Sequence, residues 1–109
     1  MYLGPDVKER MIRSYRGRDT ERLAAGERIR QWEPFRHQAE KRLRILDSAA
    51  SLGDLAALNS NRLEALKGNR KGQYSIRINE RWRICFKWGK DLSGRDEPGP
   101  SSVEIVDYH

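Results

Sequence analysis

The chain holds one cysteine, Cys85, and two histidines, His37 and His109. A lone cysteine excludes an intramolecular disulfide. With two distant histidines it also falls short of the four ligands that a structural zinc site takes. There is no apolar run long enough to cross a membrane and no signal-peptide pattern at the start. There is no internal repeat and no low-complexity segment. These absences set the first expectations: a cytoplasmic location, chemistry without metal or other cofactor, and no membrane partner. At 109 residues the chain has room for one modest core and not for two.

What the chain does have is positive charge, and most of it is arginine. Lys and Arg together number 22 against 16 Asp and Glu, for a formal net charge of +6. The guanidinium fork pairs with phosphate and stacks on bases, so an Arg-rich basic domain leans towards nucleic acid. A charged fraction of 35% equally describes a well-solvated surface with a basic bias. Composition alone leaves both readings open.

The most regular pattern lies between Arg62 and Trp88. Tyr74, Ile76 and Ile78 fall on one face of an extended segment, with Ser75 and Arg77 on the other. Trp82, Ile84, Phe86 and Trp88 likewise oppose Arg83, Cys85 and Lys87. Period-two alternation predicts two strands, each with an apolar and a polar face. Asn79-Glu80-Arg81 reads as their short hairpin loop, although it lacks glycine. Ahead of it, Gly68 and Gly72 flank Asn69, Arg70 and Lys71 as a flexible basic loop. A cationic strand face entered from a basic loop is a candidate phosphate-binding surface.

Elsewhere the elements are plainer. Residues 1–10 read as a flexible extension, with Met11 an alternative start, and Met11–Tyr15 as a short strand. Asp19 is placed to cap a short helix running to Ala25, stopped by Gly26 and anchored by Leu23. Pro34 suits a first helical position, and a longer helix is expected to run from it to about Ala50. Its apolar stripe is Phe35, Ala39, Leu43, Leu46 and Ala50. Leu52–Leu58 adds a short helical turn with Ser51 and Asp54 spaced as a capping box. Residues 89–102 form a long Gly-, Pro- and Ser-rich turn, and residues 103–109 a last strand. The order implies an α+β domain over residues 11–109, with two helices of the N-terminal half packed on one face of a small antiparallel sheet.

Four segments taken together resemble a known family. They are Leu66–Gly68, Gly72–Asn79, Trp82–Phe86 and the terminal run from Val103 through Asp107, Tyr108 and His109. This ordered set is similar to the HigB-type toxins, in their GraT-like branch, of the RelE/ParE superfamily of toxin–antitoxin systems. The resemblance implies a RelE-like fold and a toxin that enters the ribosomal A site and cuts messenger RNA. It also implies a HigA-type helix-turn-helix antitoxin, through which alone the toxin would meet operator DNA. Carried over by position, Lys67, Arg83, Asp107, Tyr108 and His109 match residues of the family's active surface. Some members have a histidine where this chain has Glu64, so that histidine's role is missing here.

RNA brings its own nucleophile, the 2′-hydroxyl. Its cleavage without metal needs a base, an acid and fixed positive charge for the transition state. An unperturbed histidine titrates near neutrality, so His109 suits proton transfer as base or acid, with Asp107 to orient it or act as base. Lys67 and Arg83 are the electrostatic candidates. Tyr108 suits phosphate positioning or base stacking, and Tyr74 base stacking. Arg70, Lys71 and Arg77 suit a grip on the RNA backbone. Without the resemblance, His109 reads as a terminal residue, Lys67 as a loop lysine and Arg83 as a solvent-facing strand position. Two other readings stay open: a non-catalytic gyrase inhibitor of the ParE kind, and a basic RNA-binding interaction module. If the last strand pairs beside Trp82–Trp88, the two sets of residues meet on one face.

Overall fold

The computed structural model describes residues 11–90 and 97–108. The expectations for residues 1–10 and for His109 lie outside that range, as does the centre of the turn after Lys90.

Two glycines frame the first helix, α1 (Arg18–Ala24). Gly17, at φ 92°, occupies the N-cap position, and Gly26, at φ 95°, donates its N–H to the Leu23 carbonyl beyond the last turn. Asp19 is therefore not the cap. It sits in the first turn, where its charge favours the helix N-terminus and approaches Arg22 at 3.6 Å. Pro34 likewise falls in a 3₁₀ segment, Arg30–Phe35, and the α-helix proper, α2, covers Arg36–Ser48. It ends earlier than expected, so Ala49 turns into the core and Ala50 faces solvent. In α3 (Leu52–Ala57) Ser51 caps as expected, its Oγ accepting from the Asp54 N–H at 3.1 Å. The Asp54 carboxylate reaches back one residue further, accepting from the Ala50 N–H at 2.9 Å.

Four strands form one antiparallel sheet in sequence order: β1 (Glu64–Ala65), β2 (Gln73–Arg77), β3 (Trp82–Gly89) and β4 (Gly99–Asp107). The β2–β3 hairpin closes without glycine because Asn79 supplies a side-chain turn. Its Oδ1 accepts from the N–H groups of Arg81 at 2.9 Å and Trp82 at 2.8 Å. The last strand begins at Gly99, well inside the expected turn, and its register against β3 shifts between Cys85 and Lys87. Gly99 is required: a Cβ there would come within 2.9 Å of the Met11 carbonyl. The segment Met11–Arg16 runs beside β4, with Arg13 N–H donating to the Pro100 carbonyl at 2.8 Å and Arg16 N–H to the Val103 carbonyl at 2.9 Å. It forms a single parallel bridge, Tyr15 to Val103, and not the strand expected over Met11–Tyr15.

The alternation read from the sequence decides which face is buried. Ile76, Ile78, Ile84, Phe86, Val103 and Ile105 meet Leu23, Phe35, Ala39, Leu43, Leu46 and Leu55 in one core. Each such aliphatic or aromatic side chain contributes roughly 1.5–3 kcal/mol on burial. Trp82 closes the end of this core, 5.1 Å from the Phe35 ring and 6.4 Å from that of Trp32. The expected two-layer α+β arrangement holds, with α3 as a third helix. The opposite face of the sheet is left to polar side chains.

Candidate active site

Strand register fixes what that second face carries. Glu64, Ser75, Cys85 and Glu104 are successive cross-strand partners and make one row; Arg77, Arg83 and Val106 make the next. Cross-strand partners share a face, so these side chains all project away from the helices.

Arg83 is the best-held cation of this face. Its Nε donates to Ser75 Oγ at 2.6 Å and its Nη2 to the Arg62 carbonyl. The Glu64 carboxylate lies 3.8 Å away, and only 11% of the Arg83 side chain is exposed. The guanidinium also lies over the Tyr108 ring, 6.0 Å from its centre. Arg62 reaches this contact from the end of a 3₁₀ turn, Asn59–Asn61, in a left-handed conformation with φ 47°. Neither Arg62 nor Ser75 was singled out by sequence pattern, and Glu64 was noted only as standing where some family members have a histidine, because their meeting with Arg83 depends on how the strands join at the sheet edge.

Arg77 is the direct partner of Arg83 on β2. Like charges placed opposite one another in a ladder are unfavourable. Together with Arg62, Glu64, Asn79 and Glu80 the two line a hollow of about 420 Å³. Three arginines against two carboxylates leave that hollow positive, as a phosphate site requires.

The loop expected to be flexible is instead a tight 3₁₀ turn, Gly68–Arg70, between left-handed Gly68 and Gly72. Arg70 is pinned there: its Nη1 donates to Glu104 Oε1 at 2.8 Å and to Gln73 Oε1 at 3.0 Å. The bond to Glu104 is the main cause that raises the Arg70 pKa. Lys67, at the N-cap of the turn, and Lys71, just past it, are exposed and have no acidic partner within 4 Å among the described residues. Cys85 lies fully buried beneath this polar layer. Burial pushes its thiol up, against the opposing charges of Arg70 and Arg83.

Two expected members stand elsewhere. Tyr74 shares the core face, its ring stacked 6.2 Å from Phe86, so it is not available to stack a base. The last strand does pair beside β3, yet Asp107 is the partner of Trp82 and shares the helix-facing side with it. Its carboxylate is taken up by a fork with Arg81, at 2.8 and 2.6 Å. Tyr108 returns to the Arg83 face, with its N–H donating to the Arg81 carbonyl at 2.7 Å. Arg70, Arg77, Arg83 and Tyr108 therefore belong to the polar side, Lys67 stands exposed in the turn ahead of β2, and Asp107 and Tyr74 lie on the other side.

Helices on one face of a short antiparallel sheet and held arginines on the other define a small α+β protein of the RelE-like class. The family described as RelE-like toxin of type II toxin–antitoxin system HigB matches residues 12–96, and the chain belongs to it. It is also 46% identical over 48 residues to Toxin HigB-1 of Vibrio cholerae. That stretch is 44% of this chain and spans half the length of the relative. A type II family implies a cognate antitoxin. Among the described residues, no helix is long and apolar enough to cross a membrane.

Proposed function

We propose that the protein is the toxin of a type II pair and cuts messenger RNA on the ribosome, in the cytoplasm. The observation that carries this reading is Arg83, an arginine fixed by Ser75 and the Arg62 carbonyl opposite a second arginine, Arg77, on an open sheet face. A cation immobilised before the reaction stabilises developing negative charge without reorganising, an effect worth roughly 10²–10³-fold in rate for one donor.

In this reading the 2′-hydroxyl oxygen attacks the adjacent phosphorus while the bond to the 5′-oxygen breaks. The products are a 2′,3′-cyclic phosphate and a free 5′-hydroxyl. Arg83 holds the non-bridging oxygens, and exposed Lys67, in the turn, draws the RNA in by its charge. Tyr108, already against the Arg83 guanidinium, positions the phosphate or stacks a base. The 2′-hydroxyl proton goes to Glu64, the carboxylate beside Arg83, and His109 supplies the proton that leaves with the 5′-oxygen. Asp107, engaged by Arg81, has the separate role of fixing the end of β4. Lys71 and Arg77 grip the RNA backbone. A HigA-type helix-turn-helix antitoxin neutralises the toxin and alone carries it to operator DNA.

The test is incubation with translating ribosomes and mapping of messenger-RNA 5′ ends, repeated with Arg83→Ala and His109→Ala. The expected result is codon-positioned cuts from the wild type and their loss in both variants. Intact message with inhibited gyrase supercoiling would replace this reading by the non-catalytic one. Intact message with neither effect would reduce the protein to a binding module.

A further inference from the structure

Glu104 is the feature that the reading above leaves unexplained. It is a carboxylate on the phosphate-facing side of the sheet, where negative charge should oppose binding. Its side chain is only 16% exposed, and it stands between two arginines, Arg70 at 2.8 Å and Arg16 at 3.7 Å. The local charge thus stays positive, and what Glu104 adds is position. Arg70 is tied to it and to Gln73 through the same nitrogen, Nη1. Nε and Nη2 make no hydrogen bond among the described residues, so the other edge of the fork is free to donate.

The register shows where that edge lies. Ser75 on β2 and Glu104 on β4 are the two cross-strand partners of Cys85 on β3. Arg83 is drawn to the Ser75 side and Arg70 to the Glu104 side. The two guanidinium groups therefore flank Cys85, whose thiol feels both charges, from anchors on the strands to either side of it. A phosphate lying on this polar layer can take a charge-assisted hydrogen bond from each of them. Tyr108 contributes to the environment of both arginines.

We propose that Arg70 is a second fixed cation of the site, holding from the β4 side the same phosphate that Arg83 holds from the β2 side, with Glu104 as its positioning residue. The proposal deepens the nuclease reading and rests on it for the identity of the ligand, an RNA phosphodiester. It removes Arg70 from the general backbone grip expected of the basic turn.

The experiment is a double-mutant cycle on binding, with a short single-stranded 2′-O-methyl RNA whose blocked nucleophile prevents cleavage. Arg70→Ala and Arg83→Ala are each expected to weaken binding about tenfold, the loss of one charge-assisted hydrogen bond. Groups that share one phosphate do not add, so the double variant should also lose about tenfold and not a hundredfold. Glu104→Ala should match Arg70→Ala with an unchanged thermal midpoint. Glu104→Gln, whose amide oxygen still accepts from Nη1, should keep most of the affinity. Additive losses, an Arg70→Ala variant that binds like wild type, or a wild type that does not hold this RNA would each overturn the proposal. Failure of the nuclease reading shows separately, as wild-type protein that binds the RNA and leaves message on ribosomes uncut.

Discussion

Replacing Arg83 by alanine should harm the protein in two ways that can be separated. The side chain is a ligand for substrate in the proposed reading and a hydrogen-bond partner in the free fold. Ser75, fully buried, bonds to Arg83 Nε at 2.6 Å, and Arg83→Ala leaves that hydroxyl without its partner. An unsatisfied buried polar group costs about 1–3 kcal/mol. In a domain near 100 residues each kcal/mol moves the thermal midpoint by roughly 4–8 °C. The catalytic loss is expected to be larger, on the order of 10²–10³-fold in the cleavage step. Removing both members, in Arg83→Ala with Ser75→Ala, should recover most of the stability, because no buried hydroxyl is then left unpaired and the exposed Arg62 carbonyl and Glu64 carboxylate can turn to water. It should recover none of the rate. The assays are thermal unfolding by circular dichroism and single-turnover cleavage on programmed ribosomes at saturating protein. A double variant that regains the rate along with the stability would refute the reasoning, since Arg83 would then act only by holding the fold. So would a single variant that cuts like wild type.

Three further outcomes follow from the same geometry. Asp107→Asn should leave cleavage close to wild type, because that carboxylate lies on the Trp82 side and is engaged by Arg81; a loss comparable to that of Arg83→Ala in the same assay would return Asp107 to the chemistry. Cys85 should resist a disulfide reagent such as DTNB in the native state and react once the chain is unfolded, since burial disfavours its thiolate. Because the folded thiol titrates above its ordinary value, near 8.5, its contribution to stability is complete below that pH and is lost as pH rises through the raised value; denaturant midpoints in Cys85→Ala should lose that part of the alkaline decline. Asn61→Ala should destabilise by about 1–3 kcal/mol, because Asn61 is fully buried, donates to the Leu55 carbonyl at 3.0 Å and accepts from Arg42 at 2.8 Å; unchanged urea unfolding would contradict this.

Sequence periodicity carried most of the fold and part of the site. Alternation over Tyr74–Ile78 and Trp82–Trp88 placed Arg83 and Cys85 opposite the core, where the structure has them. In the last strand Val103 and Ile105 face the core, so Asp107 lies on their side and Tyr108 on the other, a division that depends on the register of β4 against β3. Tyr74 was legible by the same rule, since it alternates with Ile76. The contacts that hold the cations were not legible, because they depend on register between distant segments. Glu104 meets Arg70 through the β3–β4 pairing, and Glu64 meets Arg83 only because a two-residue strand closes the edge. The helix ends missed for local reasons: glycine at Gly17 took the cap position from Asp19, and Pro34 settled in a 3₁₀ turn.

The net charge of +6 is not spread evenly, and in the proposed reading its arrangement separates finding RNA from cutting it. On the helices and the connection between them, Arg22, Arg28 and Arg36 meet Asp19, Glu27, Glu33 and Glu40 within 4 Å. Around the sheet face, Arg62, Lys67, Lys71 and Arg77 have no such acidic partner among the described residues. These four supply attraction that salt screens over a Debye length of about 8 Å at physiological ionic strength. Arg83 and Arg70 are held by hydrogen bonds and act at contact distance, where screening is weaker. Raising salt should therefore lower the affinity for single-stranded RNA, and neutralising Lys67 or Lys71 should each reduce the slope of log affinity against log salt by about 0.7. The cleavage step at saturating protein should change little over the same range. If salt instead slows the saturated step as strongly as it weakens binding, the exposed lysines belong to the chemistry, and the division between steering and held charge fails.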